Sequence, residues 1–411
     1  MIRIIPEEEA PTVLGRSVDR VGEAMGISAP IVADVRLRGD EALKEYRQRF
    51  DLVARDEPLY LDAGGELEAD LQQAVEQASR NIQSFAEAQL VTSWMSEFSD
   101  GRSLGQVVRP LNSVGVYVPA GRYPLISTLL MAVIPAQVAG VPNIVVACPH
   151  PSREILAVAK MLGVKQILHA GGAQAIAAMA YGTESVKPVQ RIVGPGNAYV
   201  AAAKKLVSQD VAIDFVAGPS EILIVASQGN AQWIAADMLA QAEHDVDARA
   251  ILLTTDKEFA LRVQAEIEIQ LSSLSTVQIA QRAIIDNSAI VVCDTTDSAF
   301  NLVNTIAPEH LSVEQKSDIE RVNSAGSIFV GQYSTEAAGD YASGPNHILP
   351  TSGNAAVRGG LSVNDFVKVI TVQELSKTAL RELEPAVTAL ARAEGLEAHA
   401  RSVETRNDAT A

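Results

Sequence analysis

The sequence predicts an α/β protein with two parallel-sheet units in tandem, set between a helix-rich N-terminal segment and an extended helical C-terminal tail. Through the middle of the chain, the β-rich runs SVGVYVP, NIVVACP, KQILHAG and QRIVGPG alternate with helix-spaced stretches such as STLLMAVIPAQVAG and SREILAVAKMLGV. A strand that rejoins its own sheet in parallel needs such a crossover, so the alternation argues for a parallel sheet. A second set, EILIVAS, RAILLTTD, AIVVCD and SIFVG, repeats the pattern around NAQWIAADMLAQAEHD and TTDSAFNLVNTIA.

Either side of these units the period is helical. From about Ser17 to Leu90 apolar residues recur three and four apart, as in VADVRLRGDEALKEYRQRF and LQQAVEQASRNIQSFAEAQL. After Pro350 the long stretch VNDFVKVITVQELSKTALRELEPAVTALARAEGLEAHARSV reads as helix without a strand partner. The expected division is 1–115 (helix-rich, joining the first unit), 116–219 (first α/β unit), 220–355 (second) and 356–411 (helical tail).

Composition narrows the function. Of 411 residues, 50 are acidic and 33 basic, and the net charge of -17 disfavours nucleic acid and anionic membrane surfaces. Leu125 to Cys148, the most apolar run, is broken by Pro135, Gln137, Gly140 and Pro142, so no membrane span is expected. Cys148 and Cys293 form neither a CxxC nor a disulfide framework. With MIRIIPEEEAP reaching a proline and three glutamates before any signal-length apolar core, the expected location is the cytoplasm.

Glycine-rich loops follow three strands of the first unit: Pro119–Pro124, Ala170–Gln174 and Gly194–Asn197. Such loops let a backbone approach an anion at the carboxyl end of a parallel sheet, and they are equally ordinary turns; GxGxxG is absent. Gln241 and His244 share a helix face in QAEHD, which reads first as a capping histidine and second as a metal-binding pair. Glu309 and His310, adjacent in IAPEHLSV, suit a base and a water activator, or a surface turn. Asp340 and His347 lie in the loop-like GDYASGPNHILP, and His399 follows Glu394 in EGLEAHA. Asp340, His244 and His399 would make a mixed N/O set suited to zinc. His150 and His169 receive no role.

Nine ordered blocks, among them VGVYVPAGRYPLISTLLMAVIPAQVAGV, GGAQAIAAMAYGT, IVGPGNAYVAAAKK, IDFVAGPSEILIVA, QAEHD, APEHL, GDYASGPNHILPT and EGLEAHA, make nearly the whole chain resemble the histidinol dehydrogenases. The resemblance implies oxidation of L-histidinol to L-histidine through a retained aldehyde, by two NAD-dependent hydride transfers, in a homodimer with one zinc per subunit. It implies zinc ligands Gln241, His244, Asp340 and His399, which also contact substrate with Ser220, His310 and Glu394. It assigns His310 to proton removal, Glu309 to activation of the hydrating water, and Tyr117, Gln174 and Asn197 to NAD. Residues 116–219 would then be an incomplete Rossmann-like NAD domain and 220–355 a second one with the zinc and catalytic residues. The tail, 356–411, would complete the partner's site. Arg122 and Tyr123 depart from the family pattern, which keeps open another polar alcohol, such as a sulfonated diol, as substrate; Arg122 would suit a cofactor phosphate or substrate anion. A cysteine-nucleophile aldehyde dehydrogenase is the rival enzyme class, and a non-catalytic nucleotide- or metal-binding module the rival outside enzymes.

Overall fold

Short runs rich in β-branched residues become the buried strands of two six-stranded sheets in the computed structural model, which describes residues 1–14, 20–120, 124–216 and 218–407. The N-terminal stretch supplies β1 (Arg3–Pro6), β2 (Tyr60–Asp62), β3 (Trp94–Glu97) and β4 (Arg102–Pro110). Then come β5 (Val114–Tyr117), β6 (Ile144–Ala147), β7 (Gln166–Leu168), β8 (Arg191–Val193) and β9 (Ala212–Ile213). The second series is β10 (Glu221–Val225), β11 (Arg249–Thr254), β12 (Ala289–Val292), β13 (His310–Val313) and β14 (Ser327–Val330), and β15 (Val367–Leu375) follows.

The first sheet runs β2-β7-β6-β5-β8-β9 and the second β1-β12-β11-β10-β13-β14. In each, the first strand of the series is central, the next two extend to one side and the last two to the other. That is the 3-2-1-4-5 order of a doubly wound sheet lacking its sixth strand. The N-terminal segment adds an edge strand to both: β2 antiparallel on β7, β1 parallel on β12. Strands buried on both faces lose the polar alternation of a half-exposed strand, and β10, EILIV, is buried at all five positions.

Helices fall where the spacing predicted them in the N-terminal segment: Arg20–Arg38, Asp40–Phe50 and Ala69–Gln89. The first packs on the helices Gly172–Tyr181 and Ala198–Val207 of the first sheet, burying Ile31, Val32 and Val35 in the same cluster as Tyr117 and Ile176.

By its contacts the chain divides into two units: Met1–Gln89 with Leu111–Phe366, which contains both six-stranded sheets, and Leu90–Pro110 with Val367–Ala411. The second unit corrects the reading of 356–411 as helix throughout. Its strand β15 pairs antiparallel with β4 over nine residues, β3 adds a third strand, and only then follow the helices Lys377–Ala393 and Glu397–Asn407. The strands β1, β2, β3 and β4 likewise interrupt the segment expected to be helix-rich. No helix among the described residues is long and apolar enough to cross a membrane.

Candidate active site

Strands β10 and β13 are parallel neighbours at the point where the second sheet reverses its strand order, with Ile222 in register with His310. Their amino ends therefore bring together Glu221, Glu309 and His310. Ligand crevices of such sheets ordinarily lie at the carboxyl ends. Here the glycine-rich turns Ala170–Gln174 and Gly194–Asn197 follow the carboxyl ends of β7 and β8 in the first sheet, while the Glu309–His310 pair occupies the opposite edge of the second.

Both members of the pair are buried, Glu309 5% and His310 4% exposed, which rules out the surface turn. Glu309 Oε2 accepts the backbone N–H of Glu221 at 2.8 Å. Gly326 packs on the Glu309 backbone so closely that a Cβ there would lie 2.5 Å from its carbonyl oxygen. Burial pushes the Glu309 carboxyl up to about 8, into the range where it takes and returns a proton near neutrality.

His310 Nδ1 lies 3.2 Å from the Glu221 carbonyl oxygen. A carbonyl only accepts, so Nδ1 carries the hydrogen and Nε2 is the proton-exchanging atom. Nε2 is buried without a hydrogen-bond partner, 3.7 Å from Asp340 Oδ1. Burial lowers the imidazole's proton affinity, but the carboxylates of Glu336, Glu309 and Asp340 outweigh it and raise His310 to about 10.

Asp340 lies near the end of the short helix Glu336–Tyr341 rather than in a loop, and burial of its carboxyl is overcome by the nearby His310 imidazole, 3.7 Å away, which lowers it. The segment after it is fastened at several points. His347 Nδ1 donates to the Asp340 carbonyl at 2.8 Å, Asn346 to Met131 O at 2.6 Å, and Asn81 to Ala342 O at 2.7 Å. The paired acid and histidine of GDYASGPNHILP are thus one construction: His347 holds the backbone that carries Asp340. A cavity of about 460 Å³ opens here, lined by His310, Phe329, Thr335, Asp340, Asn346 and His347.

Gln241 and His244 end the helix Ala231–Ala242, and His244 Nε2 lies 4.0 Å from Asp340 Oδ2. Gln241 is fully buried, with neither Oε1 nor Nε2 hydrogen-bonded. Leaving such a group unpaired costs about 1–3 kcal/mol, which a ligand would recover. Desolvation by the surrounding protein also holds His244 below its usual value although its side chain is 41% exposed, which favours the neutral form with the lone pair a metal requires. The donor chemistry therefore fits a cation. Among the described residues no three His, Cys, Asp or Glu side chains are spaced for a metal, so Gln241 would have to supply the third donor of this unit. Glu394 and His399 are exposed in the second unit. Ser220 is partly buried immediately before β10.

On the first sheet, Tyr117 ends β5, and its hydroxyl accepts the Gly172 N–H at 3.2 Å. Gln174 is buried on the helix after β7, and its amide donates to Asp51 at 3.2 Å. Asn197 caps the helix Ala198–Val207, accepting from Tyr199 and Val200 N–H. Arg122 and Tyr123 lie outside the described residues. Cys148 and Cys293 are buried and pushed up to about 12 by burial, the opposite of an activated thiol.

The sequence model of histidinol dehydrogenase matches residues 15–407. The chain belongs to the histidinol dehydrogenase family. It is 48% identical over 391 residues to the histidinol dehydrogenase of Geobacillus kaustophilus and 47% over 391 to that of Halalkalibacterium halodurans, covering 92% of each chain in both cases. The crystal structure of histidinol dehydrogenase from Elizabethkingia anophelis matches with a TM-score of 0.94 at 36% identity over 98% of both chains. Histidinol dehydrogenases are oxidoreductases of the last steps of histidine biosynthesis, and this chain shares their fold.

Two acids beside the Glu309–His310 pair went unread in the sequence. Glu336 is fully enclosed, its oxygens unbonded, with Oε1 3.4 Å from His310 Nδ1. Glu221 is buried beside Arg249 at 3.5 Å. Their only signals were a carboxylate one helical turn before Asp340 and another at the mouth of a strand.

Proposed function

We propose that this enzyme oxidises L-histidinol to L-histidine through histidinal, in two NAD-dependent hydride transfers at a site that holds one zinc ion. The observation that carries the reading is the buried Glu309–His310 pair beside the unpaired Gln241 amide, His244 and Asp340. Gln241, His244 and Asp340, with His399 from the partner of a homodimer, would hold the zinc, which when bound supplies Lewis acidity toward the substrate's donor atoms.

His310 Nε2 accepts the hydroxyl proton as hydride leaves the adjacent carbon. A cation held by Asp340 would draw off one of the carboxylates that raise His310 and bring the imidazole down toward the range of a working base. Glu309, its carboxyl raised by burial, removes a proton from the water that adds to the aldehyde, because only the hydrated aldehyde has a second hydride to give. His310 then takes the proton of the second oxidation. Ser220, and Glu394 opposite the substrate's ammonium group, complete substrate binding. Tyr117, Gln174 and Asn197 contact NAD, with the Tyr117 hydroxyl proton still available to donate.

Glu309→Gln and His310→Asn test the division of labour. His310→Asn should lower both oxidations by about 10²–10⁴-fold, the usual worth of a general base. Glu309→Gln should still reduce NAD with histidinol but form histidine at least tenfold more slowly than NADH. Equal loss of NADH and histidine in Glu309→Gln would refute separate roles.

A further inference from the structure

We infer that Asp51, from the N-terminal helical segment, positions Gln174 so that the amide oxygen alone faces the dinucleotide, where it accepts from an N–H or O–H group of the ligand. This rests on reading Gln174 as an NAD contact.

Asp51 directly follows the helix Asp40–Phe50, buried to 8% exposure beneath the carboxyl end of β7. A single oxygen, Oδ2, accepts both the Gly171 N–H at 2.9 Å and the Gln174 Nε2 at 3.2 Å. Only the NH₂ end of an amide donates to an accepting oxygen, so the Gln174 side chain, 1% exposed, has one orientation, with Oε1 turned away from Asp51 toward Gly172. Oε1 has no hydrogen-bond partner among the described residues, and it overlies Gly172, where a Cβ would lie 2.8 Å from it.

Gly172 has φ +60°, a conformation that favours glycine, and its N–H is held by the Tyr117 hydroxyl. Two successive N–H groups of the turn are therefore taken by side-chain oxygens, Asp51 and Tyr117. A glycine-rich turn that cradles phosphate leaves those donors free. This one has spent them, and it offers a neutral acceptor with a buried carboxylate behind it. The part of the dinucleotide that docks on Gln174 is accordingly a donor group, such as a ribose hydroxyl, an adenine amine or a carboxamide, and not a phosphate.

Calorimetric titration of the full-length, zinc-loaded enzyme with NAD, and separately with L-histidinol, tests this without relying on turnover. Asp51→Ala should weaken NAD binding at least tenfold and leave histidinol binding within twofold. Asp51→Asn, whose Oδ1 accepts the same two bonds, should bind NAD within threefold of the native enzyme. NAD affinity unchanged in Asp51→Ala, or both ligands weakened together, would overturn the proposal. Should Asp51→Ala not fold, Asp51→Ser, too short to reach both donors, is read in the same way. Gln174→Met separates the premises. If it binds NAD normally, Gln174 is not a contact and the cofactor reading is wrong; if it loses NAD while Asp51→Ala does not, that reading stands and the role of Asp51 falls.

Discussion

Asp237, one turn before Gln241 on the helix Ala231–Ala242, is partly buried and raised to about 6 by burial alone, against 3.8 for a free aspartate. A carboxyl raised in the folded state favours folding when protonated. Its contribution is full below pH 3.8 and is lost as the pH rises through 6. Asp237→Asn, always neutral, should therefore be more stable than the native protein at pH 8 by about 1–3 kcal/mol, and close to it at pH 4. Urea unfolding at the two pH values measures the difference; a gain independent of pH would show that burial does not set this carboxyl. Legibility at this scale followed chemistry. His244, His310 and Asp340 stood out as scarce or paired groups in a chain with six histidines. Glu336 did not, because an acid in the first turn of a helix is what the helix dipole favours on any surface. Its enclosure against His310 comes from tertiary packing alone.

At the scale of elements, the turn Gly194–Asn197 shows how a loop is fixed by what lies behind it. Gly194 has φ +115°, and its Cβ would lie 2.1 Å from the Tyr117 carbonyl oxygen, so only glycine fits. Buried Lys204 donates to Gly194 O at 2.9 Å and pairs with Asp214, whose other oxygen accepts the Gly194 N–H at 2.8 Å. Lys204→Met would leave the Asp214 charge uncompensated at a cost of about 3–5 kcal/mol, and adding Asp214→Asn should recover most of it. A single-variant loss below about 1 kcal/mol in urea unfolding would mean that the pair does not hold the turn. Most strands of the two α/β series were legible because the run is apolar and bounded by turn residues, but the two-residue β9, Ala212–Ile213, is too short and too little buried to show a period. The four-residue β13 was hidden in a chemical motif. In VKVITVQEL, β15 has the β-branched residues of a strand, but its partner β4 lies far back in the chain, and nothing local announces such a pairing.

For the whole molecule, the two sheets repeat one strand order yet put their candidate sites on opposite edges: Tyr117, Gln174 and Asn197 at carboxyl ends, Glu309 and His310 at amino ends. Alternating strands and helices predicted the tandem architecture, but could not predict which edge would carry the reactive pair, since that depends on packing around β10 and β13. The proposed homodimer with shared sites makes a further prediction. Mixed after dissociation and reassociation, His399→Asn and Glu309→Gln variants, each impaired in forming histidine, should regain part of the histidine-forming activity, up to about a quarter of native sites if pairing is random. Activity no greater than that of the separate variants would place each complete site within one chain. The central claim, oxidation of one substrate twice at one site, is tested most directly by the NADH formed from a limiting, known amount of L-histidinol with excess NAD and zinc-loaded enzyme. Two NADH per histidinol, with histidine as product, is the predicted result; one NADH per histidinol, with histidinal accumulating, would contradict it.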